Sequence, residues 1–557
     1  MAGIMNKPIG RRSFIGGTLA AGSAAAFAGL GLAGCSGGEG GGGASGGTVM
    51  RHYTNEPVAI DPYNAQETQS VAIVSALFDP LTVYNYETEE LEGAAAESWE
   101  PNEDATVFTF HLREGATFHN GDPVDAASFK RAWERMASPN TSDTPSAISY
   151  HLSMIQGYDE VLAGDAEEMS GIACPDDLTL VVTLSQPYAD FPYVASHPSL
   201  APVPQAATDD FQTYFEAPIG NGPFKMDGKW EHNQYINVVR FDDYYGEKAK
   251  IDGINFVVYD AIDTAYREFQ AGSLDVCEIP NASIHEAYDT YGISEDGFTG
   301  TPDHQCLNGN EVSTYFIVCN TEVEPFNDPM FRRAISLAIN REAICSTVYN
   351  DTRVPAANVV APGIEGYIEG EWTYSHYDVA EAERILDELG YTKDANGSRG
   401  LDLQLSFNPD GDHQSIMECV MSDLQNIGIN CTGDTSDWGT ILSRMTAGDY
   451  QFGRLGWTAD YPILDNFLYP LFYTGNGDNR AHYSNPEVDA AMDAARQTVD
   501  LDARIAALQE VNRQIAEDMP VIPIFYYNHT TVVGERVQSY YKDPAMIPGF
   551  GTAEMTA

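Results

Sequence analysis

Positive charge is what this sequence has least of. Its 557 residues carry 29 Lys and Arg against 82 Asp and Glu, a formal net charge of −53 at pH 7. Such an acidic surface repels phosphate backbones and anionic headgroups, so nucleic-acid partners and electrostatic adhesion to a membrane are excluded. It suits a heavily solvated exterior outside the cell or in a salty medium, and it would also steer cationic ligands. Cysteine is sparse as well: eight residues, at 35, 174, 277, 306, 319, 345, 419 and 431, none in C-x-x-C spacing. No histidine cluster completes a zinc pattern, so neither a metal nor a cofactor is expected. A bilayer-spanning segment is also missing, because the stretch from Gly16 to Leu32 is mostly Gly, Ala and Leu and makes a poor span.

What is present begins with an address. Gly10-Arg11-Arg12-Ser13-Phe14-Ile15 sets two arginines before that weakly apolar stretch, which stops at Leu32-Ala33-Gly34-Cys35. Basic, apolar and small-residue parts in this order mark an export signal over residues 1–35. The paired arginines resemble a twin-arginine signal. The last four residues resemble a lipobox, whose cysteine, here Cys35, becomes the lipidated first residue of the mature chain. Residues 36–47 are a Gly/Ser tract, a flexible tether. It contains chance matches to a dinucleotide fingerprint (Gly38, Gly40, Gly43) and to a nucleophile elbow at Ser45. Both motifs require a strand before and a helix after, and neither is there. With Cys35 lipidated, seven cysteines remain, so at least one is unpaired within the chain. Export permits disulfides, but no pairing follows from spacing.

Hydrophobic residues at 43% and aromatics at 11% are enough for substantial cores, and the length calls for two or three domains. Val107 to Leu112 alternates, with Phe108, Phe110 and Leu112 on one face, as a half-buried strand does. Leu178, Leu180, Val182 and Leu184 repeat the pattern, and Tyr235 to Phe241 is β-rich. Asp378 and Glu381 predict a capping box before a stripe of Ala382, Ile385, Leu386 and Leu389 that Gly390 ends. Asp328-Pro329 and Asn485-Pro486 each read as an N-cap followed by proline in the first helical position. A helix near 502–518 should stop at Pro520 and give way to a strand over 521–527. The sum is a mixed α/β protein with several sheets.

Several stretches resemble the extracellular solute-binding family that includes oligopeptide-, dipeptide- and nickel-binding proteins. Ala96-Glu97-Ser98-Trp99-Glu100 leads into Phe108 to Gly115 and then Phe118-His119-Asn120-Gly121-Asp122-Pro123-Val124. Pro218 to Phe224, Tyr244-Tyr245-Gly246-Glu247, Pro325-Phe326-Asn327-Asp328 and Ile339 to Ile344 follow in the family's order. The resemblance covers nearly the whole mature chain. It implies a periplasmic-binding-protein-like bilobal α/β fold: lobe I from 48–78, 201–312 and 529–557, a small accessory domain at 79–200, and lobe II at 313–528. Ligand would bind between lobes that close about a hinge.

The same resemblance supplies candidate ligand residues. Arg454-Leu455-Gly456-Trp457-Thr458-Ala459-Asp460-Tyr461 is similar to the oligopeptide-binding branch, where the matching Asp receives the peptide α-ammonium and the Gly-Trp stretch pairs with its backbone. On that basis Asp460, Gly456, Trp457 and Thr458 are binding residues, and Arg454 and His413 would meet the C-terminal carboxylate. The chemistry fits: a buried ammonium needs a fixed carboxylate, and a guanidinium grips a carboxylate bidentately. Read without the family, Asp460 is a turn or cap residue, Trp457 a core aromatic, Arg454 a surface charge and His413 a loop histidine. Two departures stand out. Thr458 replaces a disulfide cysteine of some relatives, with Val312 in the partner position, and Gln66 replaces an acidic cavity residue.

The expected role is a monomeric, lipid-anchored extracytoplasmic receptor that hands short peptides to an ABC permease and its ATPase. A second reading keeps the fold but changes the ligand to a dipeptide only, a metal chelate, haem or a glycan. A third, a secreted hydrolase, has only the tether's Ser45 in its favour, so no enzyme activity is expected.

Overall fold

Short-range patterning explains most elements of the computed structural model, which describes residues 47–557 apart from 66, 410 and 411. The export signal, Cys35, the tether and Gln66 therefore lie outside the described residues. The strand Val107–Leu112 buries Phe108, Phe110 and Leu112 in strict alternation. It pairs antiparallel with Thr179–Thr183, which sets Phe110 opposite Leu180 and Phe108 opposite Val182. With Ala96–Pro101 and Ile172–Asp176 they make a four-stranded sheet. The helix Ala126–Ala137 opens on a capping box between Asp125 and Ser128. Its Trp133 is fully buried and donates its indole N–H to the Leu200 carbonyl at 2.8 Å.

Two larger sheets carry the rest. A seven-stranded sheet is built on the parallel pair Val49–Thr54 and Gly253–Val258, with Tyr235–Arg240 and Phe224–Met226 on one side and Val276–Glu278, Thr531–Val533 and Cys306–Leu307 on the other. A six-stranded sheet is centred on Asn310–Cys319, which is buried at every position from Val312 to Cys319. Burial on both faces is why that run is continuously apolar from Tyr315 to Val318 rather than alternating. Antiparallel neighbours Val521–Asn528 and Phe452–Thr458 flank it.

Capping and punctuation act largely as the sequence reading expects. Asp328 accepts from the Met330 N–H at 2.8 Å before Pro329–Ala338, and Asn485 caps Pro486–Arg496. The helix Leu501–Asp518 ends in left-handed Met519, and Val521–Asn528 follows Pro520 at once. One expectation needs correction. Asp378 does cap Val379–Glu388 through the Glu381 N–H at 3.0 Å. The Glu381 carboxylate, however, turns outward to Arg384 at 2.6–2.7 Å, because a charged partner is on offer there.

The buried apolar residues form two large cores. One lies under the four- and seven-stranded sheets, the other under the six-stranded sheet and its helices. The chain crosses between the large sheets twice, after Leu307 and after Asn528, and the crossings lie side by side. Asn310 is paired with Asn528, and the His529 N–H bonds to the Gly309 carbonyl at 3.1 Å. All seven cysteines among the described residues are free thiols. No helix among the described residues is long and apolar enough to cross a membrane.

Candidate ligand-binding site

The segment that the sequence singles out is an incompletely paired strand. Phe452–Thr458 pairs with Asn310–Cys319 along its whole length, but with Asp402–Phe407 only at Phe452 and Gly453. The Ala459 N–H donates to Val312 at 2.9 Å. In an antiparallel ladder the direction alternates residue by residue, so the main-chain groups of Gly456 and Thr458 face the open side. Gly456 is pressed from the other direction: a Cβ there would lie 3.2 Å from the Thr314 carbonyl and 3.4 Å from the Tyr527 hydroxyl. The residue opposite Thr458 is Ser313, whose hydroxyl donates to it at 2.8 Å. This corrects the expected pairing with Val312, which the register sets against Ala459 instead.

Asp460 sits just beyond this strand. Its N–H bonds to the Asn466 amide oxygen at 3.0 Å, and its carboxylate accepts from the Asn466 amide at 3.2 Å and from the Tyr150 hydroxyl at 3.1 Å. Asn466 also accepts from the Trp457 indole at 3.2 Å, so one buried amide orients both candidate residues. Burial pushes the Asp460 carboxyl above the usual range, opposed by the hydrogen bonds from Asn466 and Tyr150. His197 supplies no positive charge. It stacks on His151 at 4.5 Å, and burial lowers His197 to about 3 and His151 to about 4, so both are neutral at pH 7. Among the described residues no Lys, Arg or His forms an ion pair with Asp460. The carboxylate also borders a cavity of about 470 Å³ that is shared with Asp79, Arg113, Tyr245 and Asp543.

The other end of the strand carries the cations. Arg454 donates to the Asn408 side chain at 2.8 Å and lies 4.2 Å over the Trp438 ring. His413 begins the helix His413–Asn426, and its Nδ1 lies 3.2 Å from the Tyr315 hydroxyl. Tyr315 is wholly buried and stacks on Phe525 at 4.6 Å. Arg454 and Asp460 are six residues apart on nearly extended chain, a spacing of roughly 20 Å at about 3.3 Å per residue. Among the described residues, no group of three or more His, Cys, Asp or Glu is placed to hold a metal.

Sequence reasoning thus singled out the segment from Arg454 to Asp460 by resemblance, without reading it as a strand, and missed Asn466, Tyr150 and His197. Asn466 had a faint signal, as a polar residue beside Asp465 in the otherwise apolar run Ile463 to Leu468. Tyr150 lies 310 residues from Asp460 and had none.

Comparison with known proteins identifies the family and the fold. The family model described as bacterial extracellular solute-binding proteins, family 5 Middle, matches residues 90–479. The periplasmic oligopeptide-binding protein OppA of Salmonella typhimurium is 28% identical over 508 residues, spanning 89% of this chain and 90% of that one. Haemophilus influenzae OppA, solved in complex with the peptide RPPGFSPFR, aligns with a TM-score of 0.67 and 26% identity over 91% of this chain and 99% of that one. The unliganded open form of MppA, a periplasmic murein tripeptide binding protein, aligns with a TM-score of 0.78 and 22% identity, over 92% and 98% of the two chains. That last likeness speaks for the fold alone.

Proposed function

The chain belongs to the bacterial extracellular solute-binding proteins of family 5, on the side of its oligopeptide-binding members, and from that premise we propose that it captures short peptides by their backbone and termini for import. As a member of this family it is a transport binding protein, not an enzyme. The observation that carries the peptide reading is Asp460: a largely desolvated carboxylate, without a cation among the described residues, at one end of an open strand edge. A buried, unpaired charge is costly, and a peptide α-ammonium relieves the cost. The main-chain groups of Gly456 and Thr458 accept an extended backbone whatever its side chains, and Trp457 borders it. Arg454 and His413 receive the C-terminal carboxylate. Once both side chains reach inward, a spacing of roughly 20 Å leaves room for a few extended residues.

The rest of the reading follows from this role. Residues 48–78, 201–312 and 529–557 form lobe I, 79–200 an accessory domain and 313–528 lobe II, with the paired crossings near Asn308 and Asn528 as the hinge. The protein acts outside the cytoplasm as a monomer. It is held to the membrane by lipid on Cys35, and an ABC permease with its ATPase receives the cargo.

Calorimetric titration with pools of unblocked peptides of two to five residues tests the function. Binding and a raised Tm are expected, because a ligand that binds only the native state stabilises it by mass action. Silence from every pool, with heat from a chelate, haem or glycan, would transfer the site to that ligand class.

A further inference from the structure

Arginines are few in this chain, and those withdrawn from solvent are engaged. Arg135 is paired with Asp61, Arg399 with Asp387 and Arg496 with Asp465, while Arg341 is ringed by main-chain carbonyls. Arg353 is the exception. Its half-buried guanidinium lies 3.7 Å over the Tyr349 ring, 4.8 Å from Phe525 and 4.9 Å from Tyr527. Among the described residues it makes neither a hydrogen bond nor an ion pair. What sets it apart from Arg341 and Arg454, which also lack a carboxylate, is that its N–H groups have no acceptor among the described residues.

Its position ties it to the candidate site. Tyr527, which Arg353 overlies, is the residue whose hydroxyl comes within 3.4 Å of a Cβ placed on Gly456. Tyr527 in turn lies 6.0 Å from the Tyr315 ring, which lies 5.6 Å from His413, so Arg353 and His413 approach one pair of adjoining rings. The acidic groups facing this region act from farther off. Glu311 feels Arg353 and Lys542, and Asp412 acts on Tyr349, yet neither bonds to Arg353. Stacking on ring faces holds a guanidinium flat and rigid while leaving its in-plane N–H groups free for a carboxylate.

We propose that Arg353 is a second anion-binding residue of the cleft, taking the side-chain carboxylate of a C-terminal Asp or Glu while Arg454 and His413 take the α-carboxylate. The inference rests on the peptide reading above and narrows its substrate class to peptides with an acidic last residue. A surface at −53 opposes the approach of an anionic ligand, so an acidic last residue is held only where a local positive group such as Arg353 offsets that field.

Two matched tetrapeptides, Ala-Ala-Ala-Glu and Ala-Ala-Ala-Gln, differ in that charge and hardly in shape. Titrated against the wild type, the Glu peptide should bind about tenfold more tightly, as expected for one well-placed charge pair. In Arg353→Gln the ratio should fall to about one, and Arg353→Lys should restore part of it. Equal affinities in the wild type, or an undiminished ratio in Arg353→Gln, would overturn the assignment and leave the peptide reading intact. Loss of both peptides in the variant would make Arg353 a packing residue and overturn it too. If neither these nor the pooled peptides bind the wild type, the peptide reading falls, and the assignment with it.

Discussion

The Asp190 carboxylate and the Arg504 guanidinium meet at 2.7 Å with only 3% and 5% of their side chains exposed, although they belong to different cores. Asp190 precedes a short helix whose Phe191 packs under the four-stranded sheet, and Arg504 lies on Leu501–Asp518 beneath the six-stranded sheet. The Ala189 N–H reinforces the junction by donating to the Arg496 carbonyl at 2.9 Å. A buried ion pair adds little net stability, but removing one partner strands the other charge in a dry place.

Arg504→Gln is therefore expected to cost about 3–5 kcal/mol by denaturant titration, as for other buried pairs broken on one side. Replacing both residues, Asp190→Asn with Arg504→Gln, should recover part of the loss. If the pair also sets how the lobes sit, small-angle scattering of the ligand-free single variant should show a larger radius than the wild type. Unchanged stability in the single variant would show that the contact carries no load in solution.

Asp460 gives the sharpest ligand test. Acetylating a peptide's N-terminus should abolish most binding, and Asp460→Asn should do the same while preserving shape. The expected loss of about 3–5 kcal/mol is a hundredfold or more in affinity. Calorimetry on free and acetylated forms of one peptide decides it: equal affinities would remove Asp460 from the ammonium site.

Asp543, in the wall of the same cavity, makes stability depend on pH. Burial pushes its carboxyl up to about 7, against the main-chain N–H groups of Ile547 and Ala545 and nearby Lys542. An unfolded Asp titrates near about 4, so between those values the native state holds more protons than the unfolded state. Stability from this group is thus lost as pH rises through 7 and regained as it falls toward 4. Asp543→Asn should raise Tm at pH 8, with a ceiling of about 4 kcal/mol that water in the cavity will reduce. At pH 5 the gain should fall to about a third of its pH 8 value, because the native carboxyl is protonated there while the unfolded one is still ionised about one unit above its pKa. Lys542 keeps Glu278 and Glu311 as counter-charges in the variant. A Tm difference that is the same at both pH values would contradict this account.

Lipidation is tested by Cys35→Ala, which should leave the protein soluble outside the cytoplasm or shed into the medium. Cell fractionation reads the result, and membrane retention equal to that of the wild type would exclude Cys35 as the anchor.

Much of the fold was legible because its signals are short-ranged. Alternation in Val107–Leu112, the caps at Asp328 and Asn485, and the stop at Pro520 each depend on residues within a few positions of one another. Arg454, Gly456, Trp457 and Asp460 came instead from the family resemblance, and that they lie on one strand and just beyond its end is seen only in the fold. Locality failed where a side chain had two partners to choose from, as Glu381 did, and where register decided, as it did between Val312 and Ser313.

The sequence by itself determined the α/β elements, the family and the acidic surface, and through the family resemblance it pointed to the segment from Arg454 to Asp460. Only the tertiary structure decided what surrounds that segment: Asn466 clamping Trp457 and Asp460, Tyr150 arriving from 310 residues away, and Arg353 laid on three rings with no hydrogen-bond or ion-pair partner among the described residues. The reason is physical. Secondary structure follows from backbone sterics and nearby side chains, which a sequence displays in order. Desolvation and charge pairing depend on which distant groups the folded chain brings within a few ångströms, and no spacing along the sequence encodes that distance.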